Sequence, residues 1–319
     1  MTMERIPELE PGAIRAAHAA IHPAFTGTPQ YVHDGLSARL GIPVIVKVET
    51  LNPIRSFKGR GTWVGISALA DEGTIGPDRP VVCASAGNFG QGVAFAARER
   101  GVPAIVFCST RANRLKVARM RALGAEVIEK GEDFDDARAA SEAHAAAGGG
   151  WLLVDGEDAR ISTGAATLAL ELTDAVAAGS LPVATIVSVP VGNGALLTGV
   201  GSWLRDALPD CRIIGVQAEG AAAMTNSWRA GRPIDTESAD TYADGIASRV
   251  AIPRAVALKH GRVDDMLTLS EDDLRSAQTT LTEELGIVVE GAAAASWAGL
   301  LAARPQAEAA VVIVTGSNV

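Results

Sequence analysis

Short apolar runs rich in β-branched residues alternate along the chain with longer, alanine-rich stretches. The apolar runs predict strands at 42–49, 80–85, 103–109, 124–130, 151–156, 184–191, 211–219 and 309–316. The alanine-rich stretches predict helices at 90–100, 113–123, 133–147, 165–178 and 196–207. Strands that are almost continuously apolar are typical of a parallel sheet with helices on both faces. The pattern therefore predicts an α/β fold.

The strand and helix series between residues 80 and 156 is compact and has glycine-rich flanks. We predict a smaller domain over 80–156, inserted into a larger domain formed by 1–79 and 157–319. The run from Gly148 to Gly150 fits either a plain loop or a domain hinge.

The charge balance excludes polyanionic partners. The chain has 319 residues, 28 basic and 37 acidic side chains, and a formal net charge of −9. Nucleic acid and anionic membrane surfaces both require clustered positive charge. Neither is therefore expected to bind this chain.

No segment predicts export or membrane insertion. The N-terminal segment is acidic and lacks the basic and then apolar pattern of a signal peptide. The longest apolar stretch, 183–201, is broken by Pro190 and several glycines, so it predicts a strand, a loop and a helix. The three cysteines have no CxxC spacing and the five histidines are scattered, which predicts neither disulfides nor a metal site. A reducing cytoplasm is the expected compartment.

Lys58 stands where a predicted strand gives way to a helix running to Leu69. Ser56 is predicted to be the N-cap, which puts Lys58 in the first helical turn. The positive end of the helix dipole disfavours an ammonium there, and Arg60 is expected to add to the repulsion. Both effects favour the neutral amine, which is the nucleophilic and basic form. A solvent-facing lysine is the alternative for one lysine taken alone.

Two glycine-rich loops follow predicted strands and open helices. In the loop from Ser85 to Gly92, backbone N–H groups at the sheet edge suit a carboxylate, and Asn88 adds a side-chain amide. The alternative is a loop whose glycines only permit a tight turn. In the loop from Pro190 to Leu196, small residues let the backbone approach a phosphate at a helix N-terminus.

The threonine after the last predicted strand and the loop at Gly192 each suggest a further ligand contact. The Thr315 hydroxyl, after the last predicted strand, can donate to a neutral ring nitrogen, although an ordinary C-terminal turn is the alternative. The loop at Gly192, followed by Glu219, keeps an NAD-binding oxidoreductase as a distant alternative. The GxGxxG fingerprint would need glycine where the chain has Leu197, so the signal for NAD is weak.

Four motifs occur in order along the chain: SFKGRG (56–61), SAGNFGQG (85–92), PVGNGALLTG (190–199) and VTGSNV (314–319). Together they resemble the signature of the fold type II, tryptophan synthase β-like pyridoxal-phosphate enzymes, in the threonine dehydratase/serine racemase branch. The similarity covers nearly the whole chain. It implies two three-layer α/β/α domains with mainly parallel sheets, pyridoxal 5′-phosphate as cofactor, a small amino-acid substrate and a homodimer.

The resemblance also implies a role for each motif. Lys58 would bind the cofactor covalently and act as the catalytic residue, Asn88 would contact the ring hydroxyl, and Thr315 would hold the pyridine nitrogen. The other expected cofactor contacts are Phe57, Gly192, Asn193, Gly194, Ala195 and Leu196. The expected contacts of the substrate carboxylate are Ser85, Ala86, Gly87, Asn88 and Phe89.

Departures from the family pattern narrow these expectations. Ala86 replaces a serine that is an acid/base group in serine racemases, which favours elimination over racemisation. Phe89 replaces a histidine of the dehydratases and 164–166 replaces a Gly-Gln-Gly, and both changes are expected near the substrate side chain. Gln217 and Ala223 stand where metal-activated members have acidic ligands, so no metal is expected.

The predicted function is a pyridoxal-phosphate-dependent ammonia-lyase, or dehydratase. It would convert a β-hydroxy amino acid such as threonine or serine into a 2-oxo acid and ammonia by α,β-elimination. The alternatives within the cofactor class are a threonine synthase-like or other β/γ-replacement enzyme and an amino-acid racemase.

Overall fold

The computed structural model describes residues 4–319, which form two β-sheets flanked by helices. The strands are β1 (Gln30–Val32), β2 (Val44–Val48), β3 (Val81–Ala84), β4 (Ala104–Cys108), β5 (Glu126–Glu129), β6 (Trp151–Leu152), β7 (Ile186–Pro190), β8 (Arg212–Ala218), β9 (Asp265–Leu269) and β10 (Ala310–Val314). The helices are α1 (Pro11–Ala20), α2 (Asp34–Leu40), α3 (Lys58–Asp71), α4 (Asn88–Glu99), α5 (Arg114–Ala122), α6 (Phe134–Ala146), α7 (Ala159–Ala177), α8 (Ala195–Ala207), α9 (Ala223–Ala230), α10 (Pro253–Lys259), α11 (Glu271–Leu285) and α12 (Gly291–Ala303).

The larger sheet has the strand order β1-β2-β10-β7-β8-β9. Only β1 is antiparallel to its neighbour, and the other adjacent pairs are parallel. Every residue of β2, β7 and β10 is buried. Their continuous burial explains why these segments are apolar throughout and do not alternate.

The smaller sheet has the order β5-β4-β3-β6 and is parallel throughout. All four of its strands lie between residues 81 and 152, inside the segment 80–156. The α/β class with mainly parallel sheets is therefore confirmed, while the exact domain boundaries stay a prediction.

The structure corrects the predicted elements in four places. The strand predicted at 151–156 is the two-residue β6, which ends at Leu152. Strands β1 and β9 were not predicted: β1 has three residues, two of them exposed, and β9 is an edge strand whose residues are only partly apolar and only partly buried. Neither has the long apolar run that marks a buried strand. Helix α7 begins at Ala159, six residues before the predicted start at 165, because Asp158 caps it by accepting from the Arg160 N–H.

The segment 183–201 forms β7, a loop and the start of α8, as predicted. Across residues 4–319, none of the helices has the length and apolar character required to cross a bilayer. The three cysteines, Cys83, Cys108 and Cys211, are unpaired and buried.

Candidate active site

A cavity of about 240 Å³ lies at the carboxyl ends of β3, β7 and β10, where residues following strands of both sheets converge. This is the edge at which open α/β sheets bind ligands. The structure brings to its wall all the residues predicted to contact the cofactor or the substrate carboxylate: Phe57, Lys58, Ser85, Ala86, Gly87, Asn88, Phe89, Gly192, Asn193, Gly194, Ala195, Leu196 and Thr315.

Lys58 lies in the first turn of α3, as the sequence predicted, but it is the first residue of that helix and the N-cap differs from the predicted one. The predicted N-cap, Ser56, is wrong, because Phe57 occupies that position. Ser56 instead forms a β-bridge with Gly316, and the Phe57 N–H donates to the Thr315 carbonyl over 3.0 Å. These contacts tie the start of α3 to the end of β10 and so bring Lys58 and Thr315 into one site.

The Lys58 amine faces a carboxylate that the sequence analysis did not select. Lys58 Nζ donates to Asp155 Oδ2 over 2.6 Å, and Lys58 Nζ also lies 4.9 Å from the centre of the Phe57 ring. The sequence predicted a strand over 151–156, but β6 ends at Leu152, so Asp155 lies in the loop that follows β6, at the same sheet edge as the glycine loops. Asp155 Oδ1 is buried and has no hydrogen-bond partner within residues 4–319.

Arg60 does not face Lys58, which corrects the expected repulsion between them. Its guanidinium is fully buried and donates to Glu49 over 2.8 Å and to Glu171 over 2.9 Å. Lys47 Nζ completes this cluster by donating to Glu171 over 2.5 Å. The cluster joins α3 to β2 and α7, and it fixes the helix whose first residue is Lys58.

The charges within this cluster compensate each other. Burial would raise the pKa of Glu171, but the hydrogen bonds and charge of Arg60, followed by those of Lys47, lower it to about 2. Burial lowers the pKa of Lys47 more than its two carboxylate neighbours raise it. A buried cluster of this kind is costly to break, because removing one partner leaves an uncompensated buried charge.

The loop from Ser85 to Phe89 is organised around one hydroxyl. Ser85 Oγ accepts from the Gly87 N–H over 3.1 Å and from the Gly90 N–H over 2.8 Å. Gly87 is the N-cap of α4, so the loop delivers the positive end of that helix to the cavity. This arrangement suits a carboxylate ligand.

Asn88 is held by two side chains from the far end of the chain. Its Nδ2 donates to Glu290 Oε2 over 2.8 Å, and its Oδ1 accepts from Asn318 Nδ2 over 2.8 Å. Glu290 is the N-cap of α12 and also lines the cavity. Burial raises the pKa of Glu290 despite the opposing charge of Lys116. These two hydrogen bonds fix the orientation of the Asn88 amide in the cavity wall.

Lys116 is a second cavity lysine that the sequence analysis missed. Its Nζ donates to Asp244 Oδ2 over 2.5 Å and lies 3.6 Å from Glu290 Oε1. A Cβ on Gly87 would lie 3.2 Å from Lys116 Cδ, so this side chain runs along the Ser85 to Phe89 loop. Lys116 and Asp244 form a bridge across the cavity between α5 and the turn at Asp244–Ile246.

The loop from Gly192 to Leu196 forms a cradle at the start of α8. Gly194 is the N-cap of this helix and has φ +99°, a conformation that favours glycine. A Cβ on Gly192 would lie 2.7 Å from the Gly245 carbonyl, so that position also requires glycine. Asn193 Oδ1 accepts from Ser248 Oγ over 3.0 Å. Backbone N–H groups at a helix N-terminus in such a loop suit a phosphate.

One predicted placement is wrong. The segment 164–166 lies inside α7 and outside the cavity wall formed by the described residues. A Cβ on Gly164 would collide with the backbone of Arg60 and Gly61, so this glycine serves the packing of α7 against α3. Phe89, the other residue expected near the substrate side chain, does line the cavity.

The cavity combines a glycine cradle at a helix N-terminus with a lysine and a threonine, which is the arrangement of an enzyme that binds a phosphorylated cofactor. The family profile described as pyridoxal-phosphate dependent enzyme matches residues 21–316. The chain belongs to this family, and its cofactor is pyridoxal 5′-phosphate. The residues present fit this cofactor, because Lys58 offers an amine, Thr315 a buried hydroxyl and the cradle an anion site.

Relatives narrow the class further. The chain is 34% identical over 285 residues to an L-threonine ammonia-lyase of Thermotoga maritima, covering 89% of this chain and 69% of the relative. The processed threonine deaminase isoform 2 of Solanum lycopersicum superposes with a TM-score of 0.88 at 28% identity, covering 100% of this chain and 92% of that chain. A maize serine racemase gives 0.87 at 27% identity, covering 97% and 94%. The chain is a pyridoxal-phosphate-dependent lyase.

Proposed function

We propose that this chain is an ammonia-lyase that performs α,β-elimination on a threonine- or serine-like β-hydroxy amino acid. The products would be a 2-oxo acid and ammonia. The relatives named threonine ammonia-lyase and threonine deaminase support this reaction class. The observation that carries the proposal is the convergence of a lysine amine, two helix N-termini and a threonine hydroxyl in one cavity.

Lys58 has two functions in this proposal. It holds the cofactor covalently until the substrate amine takes its place, and the neutral lysine amine released by that exchange then takes the Cα proton of the substrate. When bound, the cofactor supplies the electron withdrawal that makes this proton acidic. Asp155, 2.6 Å from the Lys58 amine, stabilises the ammonium that forms and keeps the side chain in place.

The remaining residues bind and orient. We assign the cofactor phosphate to Gly192, Asn193, Gly194, Ala195 and Leu196. The ring nitrogen is assigned to Thr315, the ring hydroxyl to Asn88, and a ring contact to Phe57. The segment from Ser85 to Phe89 binds the substrate carboxylate at the N-terminus of α4. Holding the carboxylate there fixes the direction of the Cα–H bond relative to Lys58.

A substrate comparison tests this proposal. The purified protein is incubated separately with L-threonine, L-serine and O-phospho-L-homoserine, and 2-oxo acid and ammonia are measured. The proposal expects equal amounts of both products from at least one hydroxy amino acid. Threonine formed from O-phospho-L-homoserine would instead indicate a replacement enzyme. Inversion at Cα without ammonia release would indicate a racemase.

We further propose a homodimer in the cytoplasm. Three unpaired, buried thiols are compatible with a reducing compartment. The low fraction of charged residues, 20%, is compatible with a buried interface between subunits. Sedimentation equilibrium of the holoenzyme gives the subunit number directly, and a monomer would contradict the proposal.

A further inference from the structure

Lys259 is a buried lysine whose amine has no hydrogen-bond partner among the described residues. It is the last residue of α10 and its side chain has no solvent exposure. An unpaired ammonium in the interior is costly, so this amine is neutral when it is alone and charged only when an anion lies nearby.

The other two buried lysines of the chain show what is missing at Lys259. Lys47 donates to Glu171, and Lys116 donates to Asp244. Each of these ammonium groups has a carboxylate within 2.5 Å. Lys259 is therefore the exception among the buried lysines. An apolar side chain would fill the same space, so packing alone does not explain a lysine at this position.

The Lys259 side chain points at the cofactor cradle. A Cβ built on Gly194 would lie 2.5 Å from Lys259 Nζ and 3.0 Å from Lys259 Cε. Gly194 is the N-cap of α8 and the centre of the loop from Gly192 to Leu196. The amine thus lies directly against the turn that presents the N-terminus of α8 to the cavity.

Burial alone lowers the pKa of Lys259 to about 7. An anion held at the neighbouring loop would stabilise the protonated form through a medium of low dielectric constant. The geometry and the missing partner therefore both indicate a negatively charged group on the other side of Gly194.

We propose that Lys259 is a cationic component of the phosphate site, and that its ammonium neutralises the cofactor phosphate across Gly194. The backbone N–H groups of the loop then supply the directional hydrogen bonds, while Lys259 supplies the charge. This inference rests on the proposed placement of the phosphate at residues 192–196, and it does not depend on the substrate or on the reaction.

Ligand binding to the full chain stripped of cofactor tests this role. Wild type, Lys259→Met and the surface control Lys130→Met are titrated with pyridoxal 5′-phosphate and, separately, with pyridoxal, which lacks the phosphate. Lys259→Met is expected to weaken pyridoxal 5′-phosphate binding about tenfold or more and to leave pyridoxal binding unchanged. Lys259→Gln serves as a second neutral variant if the methionine variant does not fold.

Inorganic phosphate gives a second readout that needs no turnover. It is expected to raise the melting temperature of the stripped wild type and of Lys130→Met, but not that of Lys259→Met. Equal affinity of Lys259→Met and wild type for pyridoxal 5′-phosphate would overturn the inference, as would an equal loss for both ligands. A wild type that binds the cofactor yet releases no 2-oxo acid would refute the proposed reaction and leave this inference standing.

Discussion

Lys58 and Asp155 are 97 positions apart in the chain, yet the Lys58 amine donates a 2.6 Å hydrogen bond to the Asp155 carboxylate. Lys58 opens α3, and Asp155 lies between β6 and α7. The contact places an anion beside the amine that would move the Cα proton. Asp155 is thus a positioning residue for Lys58 that lies outside the four sequence motifs.

Replacing Asp155 with asparagine is expected to lower kcat on the order of 10- to 100-fold, with little change in KM. Asparagine keeps the shape but cannot stabilise an ammonium on Lys58 by charge. The variant should still bind the cofactor, which its visible absorbance would show. Asp78→Asn, at an exposed position, is the matched control. An unchanged kcat in Asp155→Asn would remove Asp155 from the proposed mechanism.

Lys58→Ala is expected to lose the covalent attachment of the cofactor and at least about 10³-fold of the activity. The absorbance band of the lysine-bound cofactor and its trapping by borohydride report the attachment directly. Lys130→Ala, at an exposed site, should change neither. Retention of the band in Lys58→Ala would move the attachment to another lysine, and Lys116 is the only other one lining the cavity among the described residues.

The loops around Lys58, Asn88 and Gly192 were predictable because strand, glycine turn and helix follow each other directly in the sequence. Asp155, Lys116 and Lys259 were not, because their significance depends on contacts made across the fold. Lys116, for example, meets Asp244 at a separation of 128 residues. No local pattern encodes such a contact.

Arg60 shows the opposite error, in which neighbours in sequence were assumed to be neighbours in space. Residues two positions apart on a helix point to different sides. Lys58 faces the cavity, whereas Arg60 faces Glu49 and Glu171 in the interior.

The short edge strand β1 was missed because it is defined by its pairing with β2 and not by an apolar pattern in the sequence.

Gly194→Ala is expected to weaken cofactor binding about tenfold or more. Alanine at φ +99° is strained, and its Cβ would lie 2.5 Å from Lys259 Nζ. Gly179→Ala is the matched control, because Gly179 has φ +72° and open space around a built Cβ. Both variants should lose about 1 kcal/mol of stability from the backbone alone. Cofactor titration separates them, and equal affinities would argue against a cradle at Gly194.

Glu171 predicts a specific dependence of stability on pH. Its pKa is about 2 in the folded chain and 4.5 ordinarily, so folding favours its charged form. Its contribution, about 3 kcal/mol at 1.36 kcal/mol per pKa unit, is therefore fully present above pH 4.5 and is lost as the pH falls through 2.

Glu171→Gln should accordingly be less stable than wild type by about 3 kcal/mol at pH 7, because Arg60 and Lys47 lose a buried counter-charge. The difference should shrink as the pH falls from 5 towards 2, since wild-type Glu171 then becomes neutral as well. Urea unfolding followed by circular dichroism at several pH values measures this convergence, with the exposed Glu283→Gln as control. If the free energies of unfolding of wild type and Glu171→Gln instead differ by the same amount at every pH, the charge of Glu171 does not stabilise its cluster with Arg60 and Lys47.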